Sequence, residues 1–177
     1  MVENQFERSV FAKSRTLEFF DDKELSMQLG PRHRWAVNMI KELIDNALDA
    51  CEYAKVNPEI ILTVDENYFS IHDNGCGMPE NTIKKSLDYL VRVSDKNGYI
   101  APTRGQLGNA NKCIFAAAYV YTQEPTLIEI ESLGMKHIIN INVDKIQGFP
   151  AIVHKVENEE IVKIGTFIKI HWRKIAT

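Results

Sequence analysis

Between Trp35 and Ala54 the apolar positions recur at spacings of three and four. Ile40, Leu43, Ile44, Ala47, Leu48 and Cys51 fall on one face, which predicts an amphipathic helix ended by Asn57-Pro58. The period then changes. Residues 59–64 read as a strand, and residues 67–72 as its hairpin partner across the polar turn Asp65-Glu66. Residues 80–92 return to a helical pattern. Residues 93–111 are polar and glycine-bearing, and a short apolar helix follows over 112–119. Three or four strands close the chain, roughly over 126–132, 136–143, 150–156 and 161–172, the last alternating at Thr166, Ile168, Ile170 and Trp172. Upstream, Phe6, Val10, Phe11, Leu17, Phe19 and Phe20 keep no period. They read as an arm over 1–20 followed by a short helix that Gly30-Pro31 closes. Helices mixed with a mostly antiparallel sheet predict an α+β two-layer sandwich with helices on one face. The stretch 93–111 is too long for a mere connector, and such loops are usually functional or disordered.

Composition narrows the class. A chain of 177 residues is one domain, here one with an appended arm. At 45% hydrophobic and 25% charged it can bury a core. A net charge of −3 disfavours a protein that coats duplex DNA by charge alone. Cys51, Cys76 and Cys113 are odd in number and far apart, which argues against a disulfide framework. No apolar run approaches the ~20 residues of a membrane span, and the N-terminus lacks a signal peptide's apolar stretch. The expectation is a reduced, cytoplasmic protein without a membrane segment. His72, His137, His154 and His171 show no ligand spacing with the cysteines, so no zinc site is expected.

Four constellations carry chemistry. Glu42, Asn46 and Asp49 share one helical stripe, almost opposite the apolar face. A carboxylate there can activate water and an amide oxygen can ligate Mg²⁺, although any amphipathic helix shows polar residues on that side. Asp73-Asn74-Gly75-Cys76-Gly77-Met78 follows a strand. It reads either as a plain Asp-Asn-Gly turn or as a loop whose glycines admit a ligand. In the second case Asp73 would accept from an exocyclic amine and Met78 would pack on a flat ring. Arg104 through Lys112 (RGQLGNANK) runs into an apolar helix and can form an anion site from backbone amides. It is not a P-loop, because Gly-Lys-Ser/Thr is missing. A lysine in a first helical turn opposes the helix dipole, which makes sense beside a phosphate. Gly165-Thr166 lies inside the last predicted strand, where a glycine often marks a close approach.

Taken together and in this order, these motifs resemble the Bergerat (GHKL) ATP-binding fold of gyrase, heat-shock chaperones, histidine kinases and MutL, over residues 15–172. The resemblance extends in particular to the ATPase domain of topoisomerase VI B subunits and related bacterial ATP-binding proteins. It is carried by Leu17–Phe20, Lys41–Glu52, Asp73–Met78 and Arg104–Lys112. It implies Glu42 as general base, Asn46 as Mg²⁺ ligand and Asp73 as the carboxylate that reads the adenine amino group, with Thr166 as a water-linked helper. Gly75, Gly77 and Met78 would meet the base. Gly105, Gln106, Leu107, Gly108, Asn109, Ala110, Asn111 and Lys112 would form the phosphate cradle at the end of an ATP lid over about 93–111. Ser94 would touch the nucleotide, and Asp49 would orient its neighbours.

The resemblance further implies a slow Mg-ATPase whose ATP binding drives N-terminal homodimerisation, in a type IIB topoisomerase system with a topoisomerase A-like or transducer partner. DNA contact would be indirect. The Bergerat domain would span 21–177 and the arm 1–20 would be a dimer strap. Family members take a lysine from a following transducer domain, and the expectation from these 177 residues is that such a domain is absent. Lys163, Lys169 and Lys174 lie too close to the final strand to replace it. Two other readings share the motifs, a nucleotide-dependent regulatory switch and a histidine-kinase-type catalytic domain. The kinase reading conflicts with a glutamate at position 42, and His33 reads as an ordinary surface histidine.

Overall fold

The structure is a computed structural model and describes residues 19–89, 110–144, 146, 149–159 and 164–173. Helix α1 spans Asp22–Leu29, and a 3₁₀ turn at Arg32–Arg34 leads into α2, Trp35–Ala54. Strands β1 (Ile60–Val64) and β2 (Tyr68–Asp73) form the hairpin, followed by α3 (Glu80–Leu87) and α4 (Ala110–Thr122). Strands β3 (Thr126–Ser132), β4 (Met135–Asp144), β5 (Phe149–Asn158) and β6 (Thr166–His171) complete the chain. The six strands form one sheet in the order β1-β2-β6-β3-β4-β5, and every pairing is antiparallel. This is the two-layer α+β sandwich that the sequence pattern predicts.

The last strand is inserted between the first hairpin and the β3–β5 meander. Its register, with His72 opposite Phe167, brings the start of β6 beside the end of β2. Two segments separated by some ninety positions thereby meet at one end of the sheet. Alternation decides which side each residue takes. Phe69, Ile71, Ile128, Ile130, Ile139, Ile141, Ile168 and Ile170 are buried and join one core with Met39, Leu43 and Ala47 of α2. Each such isoleucine or leucine contributes roughly 1.5–3 kcal/mol on leaving water. On the opposite face Glu129 accepts from His171 at 3.0 Å and lies 3.2 Å from the Lys136 ammonium.

Helix α4 is apolar nearly all round, and Lys112 through Val120 are all buried, as such a pattern requires. Its C-terminal end is clamped by Arg32. That side chain pairs with Asp22, donates to the Tyr121 carbonyl at 2.9 Å and stacks 5.1 Å above the Tyr121 ring. A cation at a helix C-terminus favours the dipole, and here it also ties α1 to α4. Asp21 caps α1 by accepting from the amides of Lys23 and Glu24, a cap contributing about 1 kcal/mol.

The observed elements revise several boundaries. Helix α3 stops at Leu87 because Asp88 is extended, whereas the pattern predicts a helix to 92. Helix α4 runs from 110 to 122 rather than 112 to 119, so Ala110 and Asn111 belong to a helix and not to the preceding loop. Strand β6 runs from Thr166 to His171 and Gly165 precedes it with φ +80°, while positions 161–163 of the expected strand lie outside the described residues. Residues 1–18 of the arm lie outside the described residues, as do 90–109 and Lys163 and Lys174. At the arm's end Phe19 and Phe20 pack on Tyr89, with ring centroids 5.4 and 4.9 Å apart.

Register also makes a contact that linear spacing does not reveal. His137 Nδ1 and His154 Nε2 lie 2.9 Å apart, on the core side of β4 and β5. Among the described residues no group of three ligands that could hold a metal is formed. His137 is only 1% exposed. Burial pushes both imidazoles below their ordinary value of 6.5. The positive charge of Lys84 acts the same way on both, while Glu80 opposes it. Below pH about 6.5 the unfolded chain therefore binds more protons than the folded one, so stability falls as the pH drops through that value. Urea unfolding between about pH 8 and pH 5 should show this loss, and His154→Gln should flatten it. An unchanged slope in the variant would contradict the assignment.

Candidate active site

Asp73 is the last residue of β2, on the core side, and is 5% exposed. Its Oδ1 accepts from the amide of Gly75 at 2.8 Å and from that of Thr166 at 3.3 Å. Among the described residues none is bonded to Oδ2. Burial pushes the carboxyl above its ordinary value, and the two amides pull it back. A buried carboxylate with one oxygen held and one open is suited to accept a hydrogen bond from a ligand N–H.

The glycine loop is fastened on three sides. A Cβ on Gly75 would lie 2.7 Å from the backbone carbon of Ala50, so only glycine lets the loop lie against α2. The Cys76 amide then donates to the Ala50 carbonyl at 3.4 Å. Asn74 accepts from the Glu59 amide and the Cys51 thiol, and donates to the Asn57 carbonyl. Ser132 Oγ accepts from the Met78 amide at 2.7 Å and donates to the Gly165 carbonyl at 3.2 Å. Met78 is half-buried against the core, and Gly77 is buried beside Leu133. The Asp-Asn-Gly motif drew attention to Asp73 and the glycines. Ser132 carried no sequence signal, because it meets the loop only through the order of the strands.

Helix α2 presents the second half of the site. Glu42 and Asn46 are half-buried, whereas Asp49 is 8% exposed, so the polar stripe does not simply face solvent. The start of α4 packs against it. Asn46 Nδ2 donates to Asn111 Oδ1 at 3.2 Å. The Cys113 thiol is pushed up to about 11, first by burial and then by the negative charge of Glu42. Asn46 therefore faces the N-terminal turn of α4, where helix amides are free of partners within the helix, while the Glu42 carboxylate one turn earlier lies 3.6 Å from the Lys41 ammonium.

The Lys112 side chain is turned into the protein. It is 1% exposed, and its ammonium donates to the Asp88 carbonyl and sits 5.8 Å from the Phe19 ring centroid. Burial pushes its pKa down, partly offset by Asp88. Its side chain links the end of α3 to α4 and leaves only its backbone at the helix start. Lys169 points to the face opposite Asp73, 4.2 Å from the Tyr68 ring centroid, away from this site. Ser94, Gly105, Gln106, Leu107, Gly108 and Asn109 lie outside the described residues.

One end of the sheet thus holds a buried aspartate and a glycine loop pressed on α2, and the start of α4 bonds to Asn46 on that same helix. Residues 32–113 match the family described as Histidine kinase-, DNA gyrase B-, and HSP90-like ATPase. The chain is 30% identical over 161 residues to the B subunit of type 2 DNA topoisomerase 6 from Archaeoglobus fulgidus, covering 86% of this chain and 26% of that protein. The Methanothermobacter thermautotrophicus protein of that name is 26% identical over 170 residues, covering 90% of this chain and 32% of the relative. That of Methanosarcina barkeri is 32% identical over 111 residues, covering 60% and 17%. The chain carries an ATPase domain of this family, related to topoisomerase VI B subunits. It spans about a quarter of the length of the Archaeoglobus relative, at 26%.

Gly165 tests the geometry of the sheet end. A Cβ there would stand 1.8 Å from the Asp73 carbonyl oxygen, and φ is +80°. Gly165→Ala should cost about 3 kcal/mol or more in urea unfolding. A change within about 0.5 kcal/mol, the range of an ordinary surface substitution, would contradict the close approach.

Proposed function

We propose that this domain binds Mg-ATP and hydrolyses it slowly. The observation that carries the reading is Asp73, buried, with Oδ1 held by two amides and Oδ2 open to a ligand. On this reading Oδ2 accepts from the adenine amino group. Gly75, Gly77 and Met78 border the base, and Thr166 supports Asp73 through its amide. The first amides of α4, from Ala110 to Lys112, together with the residues just before them, receive the phosphates.

The donor set also fits a hard cation, since Asn46 offers an amide oxygen beside a half-buried carboxylate. Asn46 would hold Mg²⁺, which when bound would neutralise phosphate charge. Glu42 acts as general base. It accepts a proton from a water whose oxygen attacks the γ-phosphorus, and the bond to the bridging oxygen breaks to release ADP. Asp49 orients its neighbours on the helix.

The wider role extends the name of the relatives to this chain. ATP binding would drive N-terminal dimerisation of the domain, with residues 1–20 as a strap. A topoisomerase A-like or transducer partner would do the DNA work within a type IIB system. The packing of Phe19 and Phe20 on Tyr89 fastens the end of that strap to its own domain.

Two variants separate binding from chemistry. Asp73→Asn replaces acceptors with an amide and should weaken ATP binding by roughly tenfold or more in calorimetry, because a buried mismatched polar group costs about 1–3 kcal/mol. Equal affinity would overturn the adenine assignment. Glu42→Ala should bind ATP normally and lose roughly 10²-fold or more in phosphate release. Turnover equal to wild type would remove Glu42 as the base and favour a binding-only switch.

A further inference from the structure

An asparagine that ligates a cation must turn its oxygen, and not its NH₂ group, towards the metal. The terminal torsion of asparagine is broad and nearly two-fold, so the side chain does not choose by itself. A neighbour must choose for it. In this protein the neighbour is Asn111, whose Oδ1 accepts from Asn46 Nδ2 at 3.2 Å. With the NH₂ group held on that side, Asn46 Oδ1 faces the other way.

Asn111 is itself well fixed. It sits in the first turn of α4, directly before the buried run from Lys112 to Val120. The far end of that helix is clamped by Arg32 through the Tyr121 carbonyl. On α2, Asn46 lies one turn from Glu42 and one turn before Ala50, against which the glycine loop is pressed. The contact therefore joins two helices whose positions are both set by the core.

We propose that Asn111 is a positioning residue for the cation, orienting the Asn46 amide so that its oxygen is presented to Mg²⁺. The inference rests on the Mg-ATP reading above and adds a side-chain duty to a residue otherwise assigned only to a phosphate cradle. It is a metal-ligand orientation effect of the kind in which outer partners fix the inner ligand. Asn111 Oδ1 acts on Asn46 and need not touch the metal.

The test is the affinity of the full chain for a non-hydrolysable ATP analogue, titrated by calorimetry with Mg²⁺ and again with EDTA. The ratio of the two affinities reads the cation's contribution. It should fall about tenfold in Asn111→Leu, which keeps the size and removes the acceptor. Asn111→Ala removes the acceptor in a residue that favours helix and serves if the leucine variant does not fold. Each is repeated in an Asn46→Ala background, where the Asn111 substitution should change the ratio no further. A merely structural contact would lower the ratio equally in both backgrounds, and that result overturns the proposal. An unchanged ratio in either Asn111 variant with a Mg²⁺-dependent wild type overturns it alone. A wild type that binds no nucleotide overturns the Mg-ATP reading, and this inference with it.

Discussion

A carboxylate cannot be buried without donors, because stripping water from it costs several kcal/mol. Asp73 solves this with the amides of Gly75 and Thr166, and those two amides come from distant parts of the sequence. Much of the molecule is arranged to bring them together. The sheet order inserts β6 beside β2. Gly165 has no side chain, so the chain can pass over the Asp73 carbonyl. Ser132, at the end of β3, bonds the glycine loop and Gly165 at once. The other oxygen of the same carboxylate has no partner among the described residues, so the interaction that settles the local fold also shapes the proposed site.

Helix α4 is the other organiser. Its body is apolar all round and must be buried, and its end is gripped by Arg32. Burial of the body fixes the N-terminal turn against α2. Asn111 meets Asn46 there, and the Cys113 thiol feels the charge of Glu42. Lys112 shows how strongly packing rules this helix. Its ammonium reaches the Asp88 carbonyl and the Phe19 ring instead of the open end of the site. A cation in the first turn of a helix is unfavourable for the dipole, and here a carbonyl and an aromatic ring compensate it.

Much of this architecture is legible in the sequence. The spacing from Ile40 to Cys51 shows α2, whose limits match the pattern at both ends. The alternation over Thr166, Ile168 and Ile170 shows β6 and its inward face. Asp73, Gly75 and Gly77 stand out because turns and close approaches need those residue types. Other features depend on which strands become neighbours, and local patterns do not carry that information. Ser132 is an ordinary strand-end serine until β6 lies next to β3. His137 and His154 are seventeen positions apart and become a pair only in the β4–β5 register. The glycine-rich stretch points to the backbone amides through Lys112, and only the burial of α4 reveals that its ammonium turns to the Asp88 carbonyl. The end of α3 escapes the pattern for a simpler reason. Apolar residues continue past Leu87, but the backbone at Asp88 is already extended.

The central claim is that one open oxygen of Asp73 recognises an exocyclic amine. The most direct measurement compares the affinities of ATP and inosine triphosphate for the whole chain in Mg²⁺. At the base, inosine has a carbonyl oxygen in place of the amino group and a proton on N1. ATP should bind about a hundredfold more tightly, because the inosine carbonyl oxygen would face a buried acceptor. Equal affinities would show that Asp73 does not read the base, and the account would fail at its foundation.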